Sequence, residues 1–253
     1  MILIKSKKEI DLIAESCSIV ARTLDLVRKN VKPGISTKEL DLIAEDYILS
    51  MNAKAAFKGY SQGDSNPFPA ALCTSVNNEV VHGIPGKRKL ETGDIISIDV
   101  GVEKNGYFGD AAITCAVGDI PVEVKKLMEV TEKSLYLGIE QAVRGNRVQD
   151  ISYAVQSYVE ANGFSVVREL TGHGVGIKLH EDPSIPNFGN RGRGAKLKDG
   201  MTIAIEPMVN LGKYDVTVGY DGWTILTKDG LPSAHFEHTI LINNKNPEIL
   251  TVL

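Results

Sequence analysis

Apolar residues near the N-terminus recur every three or four positions. Ile10, Ile13, Ala14, Cys17, Val20, Ala21 and Leu24 line one face of a helix, and Ser6 to Glu9 ahead of them has the form of a capping box. After a break at "KPG" (32–34) come a second box, Ser36 to Glu39, and a second stripe, Leu40, Ile43, Ala44 and Tyr47. Turn formers dominate in "KGYSQGDSNPFP" (58–69). Beyond them the pattern changes to strand-like runs, "ALCTSV", "IISIDVGV" and "GYFGDAAITCAV".

The order then starts again. A helical stretch from about Pro121 to Val143 meets a glycine break at "VRGN". A second helix follows, with Ile151, Ala154, Val155 and Tyr158 on one face, and ends at Asn162-Gly163. Strands resume at "FSVV", "MTIAIEPMV", "WTILT" and "HFEHTILI". A single constant shift along the chain lays Gly34 on Gly145, Leu40 on Ile151, Ile43 on Ala154, Ala44 on Val155 and Tyr47 on Tyr158. Helix, helix, then strands, twice over, predicts an internal repeat of α+β class whose halves share one sheet. Nothing resembling a linker separates them, so residues 1–253 are expected to form one domain with halves of about 1–118 and 119–253.

Composition narrows the possible functions. With 43% hydrophobic residues, 24% charged residues and a net charge of −4, the 253-residue chain reads as globular and carries no electrostatic footprint for nucleic acid. Its basic clusters, Lys5/Lys7/Lys8, Lys87/Arg88/Lys89 and Arg191 to Lys198, are short and read as solvated loops. Cys17, Cys73 and Cys115 are far apart with no C-x-x-C, which points to reduced thiols in a cytoplasm rather than a disulfide framework or a zinc ribbon. The opening apolar run is too short for a signal peptide, and no segment approaches the ~18 apolar residues of a membrane span. The expectation is a soluble, cytoplasmic protein.

The candidate chemistry begins in "DVGVEKNGYFGD" (99–110), where two strand arms each carry an acid although strands favour apolar and β-branched residues. With Asn105-Gly106 as a two-residue turn, Gly101 faces Asp110, and Asp99 is its diagonal neighbour on the same face. A three-residue bulged loop would change that parity. Two acids so close require a cation between them or a proton on one; the alternative is a pair of solvated surface acids. Glu206 interrupts the apolar run "MTIAIEPMV", and Glu237 precedes another. Charged groups are seldom buried unless paired or bound to metal. The shift that lays Gly34 on Gly145 maps Asp99 to Asn210 and Asp110 to Asp221, so the two glutamates lie near the repeat-related positions but not on them. Four carboxylates in one pocket would repel strongly; a two-metal site relieves this and suits hydrolysis.

His173 lies between glycines in "TGHGVG", His180 follows before "EDPSIPN", and His82 lies in "EVVHGIPG". Each sits beside glycine or a turn next to a strand, where catalytic groups are presented. His235 and His238 read as structural. Competing motifs fail: "HEDPS" lacks the second histidine of H-E-x-x-H, "GHGVG" lacks dinucleotide-binding spacing, and G-x-S-x-G is absent.

With Asp99, Asp110, His173, Glu206 and Glu237 in that order, the chain resembles the type I methionine aminopeptidases of the pita-bread (creatinase/aminopeptidase) fold over nearly its whole length. The motifs that carry the resemblance are "NNEVVHGIPG", "IDVGVEKNGYFGDAA", "TGHGVGIKLHEDPSIPN", "AIEPMV" and "FEHTI". It implies a pseudo-two-fold repeat with helices packed on a shared curved antiparallel sheet, and two divalent metal ions, Co, Mn, Fe or Zn. Asp99 would bind one metal in bidentate fashion, Asp110 and Glu237 would bridge, and His173 and Glu206 would complete the other. Glu206 would accept the proton of a bridging water, His180 would hydrogen-bond the carbonyl oxygen, and His82 would contact the scissile amide nitrogen. A free α-amino group on a metal makes such an enzyme an exopeptidase.

The resemblance also implies a methionine pocket walled by Phe57, Tyr60, Phe68, Cys73 and Trp223. The family often has Cys where Phe57 stands and an aromatic where Leu179 stands, and the loop from Tyr60 to Cys73 is longer than in some members. Implied partners are the N-terminal methionine of nascent polypeptides and the ribosome near its exit tunnel, docked through the catalytic domain's own surface; no membrane is implied, and the family default is a monomer. Two rival readings stay open: a proline-specific aminopeptidase or dipeptidase of the same fold, and a non-catalytic peptide-binding module.

Overall fold

The computed structural model describes residues 1–61, 66–243 and 246–252; positions 62–65 of the turn-rich loop lie outside the described residues. Two capping boxes start the first two helices. Ser6 Oγ accepts from Glu9 N while Glu9 accepts from Ser6 N, opening α1 (Lys7–Asn30), and Ser36 with Glu39 does the same for α2 (Thr37–Ser50). Each cap is worth about 1 kcal/mol. The second half supplies α3 (Val122–Glu140) and α4 (Val148–Ala161). Helix α3 stops short of Val143, because the chain turns tightly there and Val143 N bonds Gln141 O at 2.8 Å.

The repeat is visible in the backbone. Helices α2 and α4 begin and end at the offset that separates Gly34 from Gly145, and those two glycines share a left-handed φ of +90° and +99°. Strands β1 (Lys54–Ala55), β2 (Cys73–Val76), β3 (Glu79–Val81), β4 (Ile95–Lys104) and β5 (Tyr107–Ala116) follow in the first half. The second half has β6 (Ser165–Val166), β7 (Thr171–Gly174), β8 (Glu181–Pro186), β9 (Thr202–Ile205) and β10 (Met208–Asn210). It ends with β11 (Val216–Val218), β12 (Ile225–Thr227), β13 (Ser233–His235), β14 (His238–Leu241) and β15 (Glu248–Ile249). All pairings are antiparallel: β4 lies between β5 and the edge made by β1 and β2, while β10 joins β6 to β13 and β9 joins β7 to β14.

This register corrects the simple shift. Lys54 pairs with Glu103, and the equivalent Ser165 pairs with Asn210, so Glu103 is the counterpart of Asn210 and the offset is narrower in the strands than in the helices. Asp99 therefore corresponds to Glu206 rather than Asn210. Gly101 pairs with Asp110 as Met208 pairs with His235, so Asp110 corresponds to His235, not Asp221. Asp221 instead caps a turn, accepting from Trp223 N and Thr224 N.

The halves meet along a seam with two-fold hydrogen bonding. Thr239 Oγ1 accepts from Asp110 N at 3.2 Å and donates to Asp110 O at 2.8 Å; Thr114 Oγ1 does the same for His235, at 3.0 and 2.7 Å. Between them Ala112 and Glu237 exchange backbone bonds of 3.3 and 2.9 Å. Two core clusters back this seam. Leu24, Leu40 and Ile48 pack on Ile96, Ile98 and Val100 in the first half, and Leu135, Ile139 and Ile151 pack on Ile203, Ile205 and Ile240 in the second.

Strand β8 was not foreseen, because it contains Pro183 and Pro186; it lies at the edge of its sheet, where the missing N–H groups cost no ladder bond. Lys5 is a second departure. Lys7, Lys8 and the other basic clusters are largely exposed, but Lys5 is buried, with Nζ 2.5 Å from Glu181 Oε2. Glu181 Oε1 also accepts from Ile177 N and Lys178 N at 2.6 and 2.8 Å, so this pair shapes the turn that leads into Leu179 and His180. Among the described residues no helix is long and apolar enough to cross a membrane, and the three cysteines are free. Removing one partner of a buried ion pair leaves the other charge uncompensated. Lys5→Met is therefore expected to lower unfolding free energy by about 3–5 kcal/mol, measured by urea titration, and Lys5→Met with Glu181→Leu to recover part of that loss.

Candidate metal centre and substrate cavity

Two acids come from the β4–β5 hairpin. Asn105 and Gly106 have φ of +54° and +80°, the two-residue turn that fixes Gly101 opposite Asp110 and sets Asp99 diagonal to it. The alternative of solvated acids fails: Asp99 is 9% and Asp110 3% exposed. Gly101 is required by packing, since a Cβ there would lie 2.7 Å from the Phe57 ring.

The other two acids sit where strands break. Glu206 follows β9 and precedes Pro207, which cannot donate to a ladder, and Glu237 separates β13 from β14. The pairs Ile205–His238 and Met208–His235 bracket this break, so Glu206 and Glu237 face each other across it. His173 comes from β7. Its Nδ1 lies 2.9 Å from Gly174 O, and a carbonyl only accepts, so Nδ1 carries the proton and Nε2 keeps its lone pair. That Nε2 is 3.5 Å from Glu206 Oε1 and 3.9 Å from Asp110 Oδ2. One ligand atom each from Asp110, His173 and Glu237 lies within 4.8 Å of the others.

Burial sets the electrostatics. It pushes the carboxyls of Asp99, Glu206 and Glu237 well above their usual range, with the neighbouring acids adding to the shift, and raises Asp110 to about 7. Burial also lowers His173 to about 3 and His82 to about 4, in each case helped by His180, so both rings are neutral. The oxygens Asp99 Oδ1, Asp110 Oδ1 and Glu237 Oε1 are buried without a hydrogen-bond partner. Orphaned anionic oxygens beside an imidazole lone pair fit a divalent cation of the Mn, Fe, Co or Zn class, which takes mixed oxygen and nitrogen ligands.

Every site residue expected from the sequence lines one cavity of about 330 Å³. Phe57, Phe68, Cys73 and Leu179 form a buried apolar cluster with Tyr60 and Trp223 at its edge, and of these only Leu179 is not part of the cavity lining. Trp223 packs edge-on to Phe68 at 5.4 Å and donates Nε1–H to Asn66 O. Tyr60 has a polar role as well, its hydroxyl lying 2.7 Å from His180 Nδ1. The His180 and His173 rings meet at 4.3 Å. His82 is held in the left-handed region at φ +60°, a strained conformation typical of functional positions.

Sequence reasoning missed several lining residues, Val81, Glu169, Leu170, Thr171 and Met208, because they look like ordinary strand or loop positions. His235 does not line the cavity but stands close behind it. That ring, read as structural, is 1% exposed and stands 3.7 Å from Glu206 and 4.0 Å from Glu237. His238 does lie apart, bonded to Thr251 Oγ1 at 2.8 Å.

A fold of two helix-and-strand halves around a buried acid cluster defines a metallopeptidase scaffold, and the chain belongs to Metallopeptidase family M24, which matches residues 11–244. It is 53% identical over 253 residues to the methionine aminopeptidase of Clostridium perfringens, covering 100% of both chains. The crystal structure of methionine aminopeptidase from Thermotoga maritima superimposes with a TM-score of 0.96 at 45% identity, again over 100% of both chains. Prolidase from Pyrococcus furiosus shares the fold alone, with a TM-score of 0.79 at 22% identity over 99% of this chain and 65% of that one.

The raised carboxyl pKa values generate a prediction. With Asp110 raised to about 7 and the neighbouring carboxyls raised as well, a cation must displace protons from the cluster below neutrality, so divalent-metal affinity is expected to rise with pH through neutrality with net proton release. Calorimetric titration of Mn(II) in buffers of different ionisation enthalpy checks this; affinity independent of pH would refute it.

Proposed function

We propose that this chain removes the N-terminal methionine from nascent proteins and peptides by metal-dependent hydrolysis, preferring a small second residue. The observation that carries the proposal is the convergence of Asp99, Asp110, Glu206, Glu237 and the His173 imidazole on one cavity that His82 and His180 also line, beside the apolar side chains of Phe57, Phe68, Cys73 and Trp223. Membership of the metallopeptidase family and the similarity to methionine aminopeptidases support it.

Asp99, Asp110, His173, Glu206 and Glu237 would hold two divalent cations. When bound, these cations supply Lewis acidity that activates water and polarises an amide carbonyl. Glu206, a carboxylate lining the cavity beside His173, would take the proton of the attacking water. With Tyr60 donating to His180 Nδ1, the neutral His180 ring carries its proton on Nε2 and donates it to the carbonyl oxygen as charge develops there. His82, also neutral, contacts the scissile amide nitrogen.

The apolar wall of Phe57, Phe68 and Cys73, closed by Tyr60 and Trp223, suits an unbranched thioether side chain, which adapts to irregular apolar space and gains sulfur–aromatic contacts. The acid cluster beside it suits the substrate's free α-amino group, which limits cleavage to the first residue. The proposal extends to a cytoplasmic, monomeric enzyme with one catalytic domain, 1–253, that meets nascent chains near the ribosomal exit tunnel. The free cysteines and the absence of a membrane-spanning helix among the described residues agree with that setting.

Free methionine release from Met-Ala-Ser, Leu-Ala-Ser and Met-Pro-Leu, before and after reloading chelator-stripped protein with Mn, Fe or Co, tests this reading. Metal-dependent release from Met-Ala-Ser, with little from the other two, is expected. Tight metal binding with no cleavage of any peptide would instead favour a binding module, and preference for Met-Pro-Leu a proline-specific enzyme. Under the first outcome, Glu206→Gln should lower kcat by about 10²–10⁴-fold, and His180→Ala by about 10²–10³-fold with a smaller change in KM.

A further inference from the structure

His235 is the buried polar group that the mechanism leaves unused. Its ring is 1% exposed, yet neither ring nitrogen has a hydrogen-bond partner. An unsatisfied buried polar group is costly, so a merely structural histidine here would be a poor choice beside an apolar residue of similar volume. The backbone of His235 is fixed on both sides, with Thr114 Oγ1 accepting from its N–H and donating to its carbonyl. The main chain that carries the ring is therefore held in place, while the ring nitrogens have no hydrogen-bond partner.

The two-fold register says what this position faces. His235 stands where the first half has Asp110, so symmetry directs its side chain toward the same acid cluster. Nε2 lies 3.7 Å from Glu206 Oε2 and 4.0 Å from Glu237 Oε2. Of the other two oxygens, Glu206 Oε1 is 3.5 Å from His173 Nε2, and Glu237 Oε1 is a buried acceptor without a hydrogen-bond partner.

We propose that His235 is a positioning residue for the metal centre: its Nε2–H engages Oε2 of Glu206 and of Glu237, so that both glutamates present Oε1 to the cations. The two separations exceed a formed hydrogen bond, and Nε2 is the partnerless ring atom that the structure sets beside both carboxylates. A donor behind a ligating carboxylate fixes its orientation and sets which oxygen is free to coordinate. This inference rests on the metal-centre reading of the acid cluster.

The test compares wild type, His235→Leu and His235→Gln as full-length, metal-stripped proteins. Mn(II) affinity is read by calorimetry, the Co(II) visible spectrum reports ligand geometry, and thermal unfolding of the metal-free forms reports packing. Leu fills similar space without a donor, and Gln restores an N–H at similar reach. Expected are a loss of Mn(II) affinity of about 10–100-fold in His235→Leu, an altered Co(II) spectrum, and recovery of most of both in His235→Gln. The metal-free Tm of His235→Leu should stay at or above the wild-type value, since an unpartnered polar group is removed. Wild-type affinity and spectrum in His235→Leu would overturn the proposal, as would a loss that His235→Gln shares in full. The metal-centre reading fails separately, and takes the proposal with it, if wild type binds no Mn(II) or if Asp110→Asn with Glu237→Gln leaves affinity unchanged.

Discussion

Mutual repulsion among buried carboxyl groups is the constraint around which this molecule is arranged. Asp99, Asp110, Glu206 and Glu237 all face one cavity, and water reaches little of them. At such separations in a medium of low polarity, unit charges repel far more strongly than they would in bulk water. The cluster is tolerable only with protons held on the acids or with compensating cations, and burial accordingly raises all four pKa values. Cations relieve the repulsion without quenching the acids, and so convert an electrostatic cost into a site that activates water.

Holding such groups together needs a rigid frame, and the seam between the halves provides it. Thr114 and Thr239 each bridge to the opposite half through one hydroxyl that both donates and accepts, and Ala112 and Glu237 close the gap between them. The bonds are related by two-fold symmetry, but the side chains they carry are not. Asp99 and Glu206 are equivalent positions with the same charge and different reach, whereas Asp110 is matched by His235 and Ala112 by Glu237. A repeated framework with unequal side chains thus yields a single asymmetric cluster between the halves, to which each half contributes two of the four acids.

The cavity walls follow a different logic. Phe57 depends on Gly101 for room, Trp223 is tied back to Asn66, and the turn bearing Leu179 and His180 is shaped by Glu181, itself neutralised by Lys5 from the start of the chain. Apolar packing defines the pocket, while one buried ion pair sets the entry of a polar residue into it.

Local information was sufficient for much of this. Capping boxes mark the starts of α1 and α2, helical periodicity marks their buried faces, and the Asn105-Gly106 turn fixes the Asp99–Asp110 diagonal, because each depends only on residues a few positions apart. The order of acids and histidines along the chain was likewise enough to identify the family. What the sequence could not supply was anything set by pairing between distant segments. The narrowing of the repeat offset between helices and strands is invisible until Lys54 and Ser165 find their partners, and with it hides the equivalence of Asp99 to Glu206. Lys5 looks like one of three solvated lysines until Glu181 folds over it, and His235 looks structural until the seam turns it toward Glu206 and Glu237. Local propensity is written in neighbouring residues; burial, charge pairing and register exist only once remote segments have met, and those are what the tertiary structure decided.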